Sequence, residues 1–172
     1  MRATNPIRSS HRPTGRPNER GFSLVELLIV VAVILIIAAI AIPNFINSKL
    51  RANESAAVEN LRTITSANVV YSTTWQTGYA STLATLGGNS ATPTATAAGL
   101  LDSVLSSGNK SGYSYSYSSG PADASGNVNS YILNAAPAIP GQTGVRYFFT
   151  DQTAVIRYNS TQPATATDLP IS

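Results

Sequence analysis

The chain has 172 residues, a formal net charge of +3 and no cysteine. This length accommodates one domain, or one domain with an appendage. The single histidine, His11, lies near the N-terminus, so residues 22–172 contain neither histidine nor cysteine. The larger part of the chain therefore lacks the usual zinc ligands, a cysteine nucleophile and a histidine general base, which argues against an enzyme.

The positive charge is concentrated in the first 21 residues, which are polar and interrupted by prolines. This segment contains five arginines and one glutamate, whereas residues 22–172 carry six Lys and Arg against seven Asp and Glu. Arginine-rich flanks of an apolar segment stay on the cytoplasmic side of a membrane. The charge therefore predicts a membrane orientation and indicates no specific nucleic acid as a partner.

An apolar run follows at Leu27–Ile42, directly after the carboxylate of Glu26. As a helix, residues 22–42 would measure about 31 Å, enough to cross a hydrocarbon core. An ionised carboxylate in a bilayer costs about 2.5–3.5 kcal/mol even on lenient scales, so Glu26 needs a partner. Pro43 follows the run, and we expect it to kink the helix there without ending it.

The next segment changes from uniformly apolar to amphipathic. Its apolar and aromatic stripe, at alternating spacings of three and four, is Ala57, Leu61, Ile64, Asn68, Tyr71 and Trp75. We therefore expect one helix over residues 22–77, with Gly78 as its C-terminal stop. Arg51 and Glu54 stand at i,i+3 spacing and are expected to pair on the helix surface.

Strand signals fill the C-terminal half, after a short helix expected near residues 97–107. Alternating, β-branched or aromatic segments occupy 114–118, 130–135 and a hairpin over 145–158. The Thr/Pro-rich tail, 159–172, is expected to be loose. A helix followed by a strand meander predicts an α+β fold, with an antiparallel sheet packed on the amphipathic half of the helix.

Two sets of aromatic residues recur at regular spacing. The helical set is Tyr71, Trp75 and Tyr79, and the strand set is Tyr113, Tyr115 and Tyr117. The first set could pack in a core or form a path for electrons, and packing is the favoured interpretation. The second shares one strand face, for which a core position is favoured over an exposed adhesive patch.

The sequence RGFSLVELLIVVAVILIIAAIAIP, residues 20–43, resembles the class III signal of type IV pilins and type II secretion pseudopilins. It places a glycine, an aromatic residue, a carboxylate and a proline at the distances typical of that family. The resemblance implies that a prepilin peptidase cuts between Gly21 and Phe22 and methylates the new amine of Phe22. It also assigns Glu26 to the glutamate of the family and Pro43 to its helix-bending proline.

The resemblance supplies the partner that Glu26 needs. Cleavage would create an ammonium at Phe22, four residues before Glu26, and this ammonium could meet the carboxylate of an axially staggered neighbour. Removing one member of a buried ion pair costs about 3–5 kcal/mol. We therefore expect Glu26 to fix the register of assembly.

The family also implies a pilin-like lollipop with four parts. These are a cleaved leader, 1–21, a transmembrane and filament-core helix, 22–49, its amphipathic half, 50–78, and a β-rich globular head, 79–172. Later stretches such as TGVRYFFTDQTAVIRY resemble the C-terminal half of cysteine-free pilin-like proteins. The chain departs from common family members in its long leader, in Leu35 where many have glycine, and in lacking the disulfide that closes the C-terminal loop.

Other interpretations of the N-terminal segment are an uncleaved anchor and a secretory signal cut after Ala39-Ile40-Ala41. We expect no cofactor, and calcium is the one metal considered. Its candidate ligands are Asp102, Asp123 and Asp151. Calcium takes six to eight oxygen ligands, and no D-x-D-x-D run is present.

The function that these features favour is that of a structural subunit of a type IV pilus-like filament, without enzymatic activity. The alternative is a pseudopilin of a type II secretion system, and a more remote one is a soluble secreted protein. A sparsely charged Ser/Thr-rich head favours a fibre exposed outside the cell. The expected partners are other copies of the chain, the prepilin peptidase and the inner-membrane assembly machinery. The precursor would span the inner membrane with its N-terminus in the cytoplasm and its head in the periplasm, before assembly into a cell-surface pilus or a periplasmic pseudopilus.

Overall fold

A computed structural model describes residues 21–171, and the predicted leader lies outside these residues apart from Gly21. The helices are α1 (Leu24–Trp75), α2 (Leu83–Leu86) and α3 (Ser103–Ser106). The strands are β1 (Asn109–Lys110), β2 (Tyr113–Ser119), β3 (Tyr131–Pro137), β4 (Tyr147–Asp151), β5 (Arg157–Asn159) and β6 (Leu169–Pro170). The predicted α+β class is confirmed. The chain divides into two compact units between Ala41 and Ile42.

Helix α1 is two residues shorter than predicted at each end, and Pro43 lies inside it. Its last turn closes with a backbone hydrogen bond from the Gln76 N–H to the Ser72 carbonyl, and Gln76 has a φ of 55°. Gly78 is therefore not the residue that ends the helix. It has a φ of 77°, and a Cβ at this position would collide with the backbone of Val128. A close approach of two chain segments explains the glycine.

The amphipathic part of α1 buries the predicted stripe. Ala57, Leu61 and Ile64 are completely buried, and the stripe continues through Asn68 and Tyr71 to the half-buried Trp75. These side chains form one core with the inner face of the sheet. Burial of such a continuous apolar face stabilises the unit because it removes apolar area from water.

The sheet is an antiparallel meander in which each strand pairs with the next along the chain, in the order β1-β2-β3-β4-β5-β6. Tyr113 and Tyr115 are buried on its inner face and Tyr117 is half-buried, which confirms the core position. Their hydroxyls are satisfied: Tyr113 donates to the Arg146 carbonyl, Asn60 Nδ2 donates to Tyr115 at 2.8 Å, and Tyr117 donates to Asn68 Oδ1 at 3.1 Å. Burial raises the pKa of each of these three tyrosines.

The C-terminal tail is not loose, so that prediction is wrong. Strand β6 pairs with β5, and Ala164 is buried. The Asp168 carboxylate accepts hydrogen bonds from Asn159 Nδ2 at 2.8 Å and from the Thr165 N–H at 2.7 Å. Arg157 donates to the Asp168 carbonyl at 2.8 Å. The order comes from side-chain hydrogen bonds, which a Thr/Pro-rich composition does not reveal.

The region before the sheet also differs from the prediction. The expected helix near 97–107 is reduced to α3, and α2 was not predicted. The segment before α3 instead hydrogen-bonds to α2: the Ala98 N–H donates to the Thr85 carbonyl, and the Leu100 N–H donates to the Leu86 carbonyl. Tertiary pairing therefore overrides the local helix signal there.

Candidate processing and assembly site

The helix start shows the glutamate half of a capping box, in which the side chain of the third helical residue accepts from the N-cap N–H. The Leu27 N–H donates to the Ser23 carbonyl at 3.2 Å, which places Ser23 at the N-cap of α1. Three residues later, Glu26 Oε2 accepts from the Ser23 N–H at 3.5 Å. This contact satisfies the Ser23 N–H, and the negative charge of Glu26 suits the helix N-terminus. The same carboxylate that is costly inside a bilayer is thus favourable at this point of the helix.

Gly21 and Phe22 precede the helix and are both exposed. Among residues 21–171, and apart from its own chain neighbours, no atom lies within 4 Å of the position that a Cβ of Gly21 would occupy. The Phe22 side chain is 84% exposed. Within the described part of the chain, nothing covers the peptide bond between these two residues.

The apolar part of α1 is exposed on all sides. Every large apolar side chain from Phe22 to Ile46 is exposed by 45–84%. Among residues 21–171, α1 is the one helix long and apolar enough to cross a membrane. Exposure of this much contiguous apolar surface indicates a surface that lipid or other protein covers.

Glu26 is accessible to a partner from outside the chain. It is exposed, and among residues 21–171 it takes part in no ion pair. Phe22 precedes α1 by two residues and Glu26 lies in the first turn of the helix, so the two residues lie at the same end of α1. Pro43, the other predicted assembly residue, lies inside α1 just after the boundary between the two compact units.

The three aspartates considered for calcium each serve a local turn or cap. Asp102 caps α3, accepting from the Val104 and Leu105 N–H groups, and Asp102 Oδ2 lies 2.8 Å from Lys110 Nζ. The hydrogen bond from Lys110 is the largest influence holding the pKa of Asp102 below its usual value. Within the described part of the chain, no three His, Cys, Asp or Glu residues are grouped so that they could hold a metal ion.

The other two aspartates close turns. Asp123 Oδ1 accepts from the Ser125 and Asn127 N–H groups at 2.8 and 2.9 Å. Asp151 Oδ1 accepts from the Thr153 N–H at 2.9 Å and from its hydroxyl at 2.6 Å. Both arrangements are Asx turns, for which aspartate is common without a metal.

Glu54 is a structurally important residue that sequence reasoning misassigned. It does not pair with Arg51 but is buried, with Oε1 accepting from the Val145 and Arg146 N–H groups and Oε2 from Arg146 Nε at 2.8 Å. Burial alone would raise the pKa of Glu54, but these hydrogen bonds outweigh it and hold the pKa below the usual value. The signal was present in the sequence, because Glu54 precedes Ala57 by three residues and so continues the buried stripe.

The comparisons with known proteins concern the N-terminal segment. The family model described as the prokaryotic N-terminal methylation motif matches residues 16–42. The chain is 55% identical over 51 residues to the type IV major pilin protein PilA of Myxococcus xanthus, covering 30% of this chain and 23% of that protein. It is 48% identical over 44 residues to the type IV wide pilus major component PilA4 of Thermus thermophilus, covering 26% of this chain and 34% of that protein.

The aligned region thus spans about a quarter to a third of the length of these curated relatives. No solved structure matches the chain significantly. The N-terminal segment of this chain thus carries the prokaryotic N-terminal methylation motif and is similar to the corresponding part of two type IV major pilins.

Proposed function

We propose that the chain is a structural, non-enzymatic subunit of a type IV pilus-like filament. The observation that carries this proposal is the first part of α1, where an apolar surface exposed on all sides lies within the residues that match the methylation motif. Such a surface requires lipid before assembly and the same helices of other copies after it. The two relatives named above are both major pilins, which favours a pilus over the pseudopilus of a type II secretion system.

The maturation steps follow from the same segment. The precursor spans the inner membrane with the arginine-rich leader, 1–21, in the cytoplasm and residues 50–172 in the periplasm. A prepilin peptidase cuts between Gly21 and Phe22 and methylates the Phe22 amine. Assembly machinery of the inner membrane then transfers the subunit into the filament. The open Gly21–Phe22 bond supports this site of cleavage.

In the filament, the Phe22 ammonium pairs with the Glu26 carboxylate of a neighbouring subunit. The capping geometry at Ser23 supports this role, because it holds the carboxylate at the level of the helix start, where the new amine appears. Residues 22–49 form the filament core, with Pro43 accommodating the change from packed to amphipathic helix. Residues 50–78 and the head, 79–172, form the outer layer, and their aspartates act as turn and cap residues without a cofactor.

The test combines the mass of the N-terminus with imaging of fibres. Cells expressing the full chain should yield a membrane or fibre form that begins at methylated Phe22, together with surface fibres that contain the chain. A mature chain beginning at Ile42 would indicate an ordinary secretory signal and overturn the proposal. A chain that keeps its leader and forms no fibres would indicate a plain anchor.

A further inference from the structure

A cavity of about 410 Å³ lies on the outer face of the sheet, the face that is turned away from α1. In the register of the sheet, Ser118 of β2 pairs with Ile132 of β3, and Ile132 pairs with Asp151 of β4. All three residues line the cavity. Successive side chains of a strand point to opposite faces, so this row lies opposite to the buried Leu133. The proposed function gives the outer face no role.

The apolar part of the cavity wall belongs to a second, smaller buried region. Phe149 lines the cavity and shares its face with Asp151, two residues farther along β4. It is 6% exposed, although it lies outside the core that joins the sheet to α1. Ile132, which also lines the cavity, is 46% exposed. Apolar surface inside a concavity suits the apolar side of a small ligand.

The ordered C-terminal tail supplies another part of the wall. Ala166 lines the cavity, and Ala164, two residues before it, is buried. The Thr165 N–H donates to the Asp168 carboxylate at 2.7 Å, which fixes the chain on both sides of Ala166. The shape of the cavity therefore depends on the hydrogen bonds that hold the tail.

The polar groups of the wall are available to a ligand. Ser118, Ser130 and Gln152 line the cavity, and none of their side chains is hydrogen-bonded to another of the residues 21–171. Asp151 uses Oδ1 in its turn, and no donor among the described residues reaches Oδ2. A Cβ at Gly120 would collide with Ser130 Oγ, so the glycine leaves this hydroxyl in its place.

The charge of the wall argues against an anionic ligand. Among the described residues that line the cavity, Asp151 is the one that carries a charge. Arg157 lies opposite Phe149 in the register of β4 and β5, but it donates to the Asp168 carbonyl and does not line the cavity. A phosphate or a nucleic-acid backbone would therefore meet a carboxylate that no cation of the wall offsets.

Hydrogen bonding separates the other classes of ligand. A wholly apolar molecule would leave the polar groups of the wall without partners, which costs binding free energy. An ammonium offers donors alone, which suits Asp151 but leaves the amide N–H groups of Gln152 without an acceptor. A sugar hydroxyl both donates and accepts, and the C–H groups of a sugar ring form an apolar face. The wall therefore fits a neutral saccharide.

We propose that this cavity binds a neutral saccharide, either as a free sugar or as a unit of a glycan. The sugar ring covers Ile132 and the exposed edge of Phe149, Asp151 Oδ2 accepts from one hydroxyl, and the serine hydroxyls and the Gln152 amide bind the others. The volume lies within the range of about 300–1,000 Å³ that is typical of small-molecule sites. This binding activity goes beyond the proposed function, and its test requires no fibres.

The test uses the full chain in micelles of a detergent that has no sugar headgroup. Saturation-transfer difference NMR measures the binding of the methyl glycosides of glucose, galactose and mannose. We expect at least one of them to bind, with the strongest saturation on ring C–H protons, because these contact Ile132 and Phe149. If none of the three binds, the inference is overturned while the proposed filament function stands.

A variant that fills the cavity tests its location. Ala166→Phe should abolish binding, because the new ring occupies the cavity. The matched control is Ala124→Phe, which makes the same change at an exposed turn alanine outside the cavity wall and should leave binding intact. Unchanged binding by Ala166→Phe, or equal loss in both variants with the fold retained by circular dichroism, overturns the location.

A second variant tests the carboxylate and remains informative if Ala166→Phe fails to fold. Asp151→Asn keeps an oxygen that can close the turn but removes the charge, so binding should weaken about tenfold. Asp123→Asn makes the same change in the other Asx turn and should have no effect. Unchanged binding by Asp151→Asn overturns the role of this carboxylate.

The chemistry of the ligand is varied last. The uronic acid that corresponds to the bound hexose should bind at least about tenfold more weakly, because its carboxylate would meet Asp151. Stronger binding of butylamine than of any hexoside overturns the inference, because the cavity would then be a cation site. Binding of the free hexose alone would identify free sugars as the ligands, whereas binding of the methyl glycoside and of a disaccharide would identify glycan units.

Discussion

The two parts of α1 share one secondary structure and differ in what covers them. In the first part Leu35 is 63% exposed and every neighbouring large side chain is exposed as well, whereas in the second part Leu61 is completely buried. The first part shows no amphipathic period because its proposed partners, lipid and other copies, surround it on all sides. The second part is amphipathic because this chain supplies a sheet for one side only. The spacing of apolar residues along a helix thus indicates which of its sides are covered.

The largest expected effect comes from a substitution in the first part of α1. Glu26→Ala should leave insertion and cleavage intact but abolish sheared fibres, because an unpaired ammonium among packed helices costs about 3–5 kcal/mol. Glu26→Gln retains an oxygen that can cap Ser23 but carries no charge, and should also fail to assemble. Glu26→Asp should be intermediate. Normal fibre yield from the Gln variant would show that capping, and not charge pairing, is the role of Glu26.

Deleting residues 1–49 separates the two parts physically. The fragment 50–172 should be soluble in water and unfold cooperatively, because it retains the buried stripe of α1 and the Glu54 contacts with the β3–β4 loop. Circular dichroism during thermal unfolding, with size-exclusion chromatography, measures both properties. An aggregated or unfolded fragment would show that the second part of α1 depends on the first.

The same substitution on each part of α1 sharpens the comparison. Leu61→Ala should lower the free energy of unfolding of the head by about 3 kcal/mol, since it leaves a cavity in the core. Leu35→Ala, in the full chain in detergent, should leave the unfolding of the head unchanged. Chemical denaturation followed by tryptophan fluorescence reports on the head, because Trp75 packs against its core. Equal effects of both substitutions would contradict the division between the two parts.

Glu54 and Glu59 provide a similar contrast within the second part. Glu54→Ala should destabilise fragment 50–172 by about 2 kcal/mol, because it leaves two part-buried N–H donors and the Arg146 guanidinium without their acceptor. The control, Glu59→Ala, removes an exposed pair with Arg62 at 3.5 Å and should cost less than about 0.5 kcal/mol. Similar urea midpoints for the two variants would show that the buried pair makes no special contribution.

The smallest expected effect is the dependence of stability on pH. On the acid side, this dependence involves Glu54. The pKa of Glu54 is lower in the folded state than its usual value of 4.5. Its contribution to stability is therefore complete above about pH 5 and is lost as the pH falls through the folded-state value. The free energy of unfolding of fragment 50–172, measured in urea at each pH, should fall less steeply in acid for Glu54→Gln than for the parent.

On the alkaline side, the free energy of unfolding should fall as the pH rises. Burial raises the pKa of four tyrosines above the usual value of 10: Tyr113, Tyr115, Tyr117 and Tyr131. Their neutral forms contribute fully below about pH 10, and this contribution is lost as the pH rises toward the folded-state values. Tyr115→Phe should reduce the alkaline loss. Stability that stays constant from about pH 8 to 11 would indicate that these hydroxyls are not buried in solution.

Periodicity predicted the parts of the fold that depend on apolar burial. The stripe from Ala57 to Tyr71 and the alternating tyrosines of β2 were both assigned correctly to the core. Glu54 was misassigned because a charged residue on a buried stripe requires a partner, and Arg146 lies 92 positions farther along the chain. The ordered tail was missed because it depends on hydrogen bonds to Asp168. Local sequence patterns predict which residues are buried, but they do not predict polar contacts between distant segments.

For the candidate site, the sequence indicates which residues belong to the motif but does not give their geometry. The motif around Gly21, Phe22 and Glu26 was recognisable from spacing, whereas the capping bond to Ser23 required coordinates. For the calcium candidates, the residue types alone were not informative. Asp102 caps a helix and Asp123 closes a turn. Aspartate is common at such positions, so the sequence alone does not distinguish this structural role from metal binding.

The meander has a consequence for the order in which the head folds. Each strand pairs with the strand before it, so the sheet can grow hairpin by hairpin along the chain. The contact of Glu54 with Arg146 closes a loop of about ninety residues and has no local precursor. Folding should therefore proceed quickly through strand pairing and be limited by the docking of the completed β3–β4 loop onto α1. A head caught before that docking would hold Glu54 without its hydrogen-bond donors from the loop.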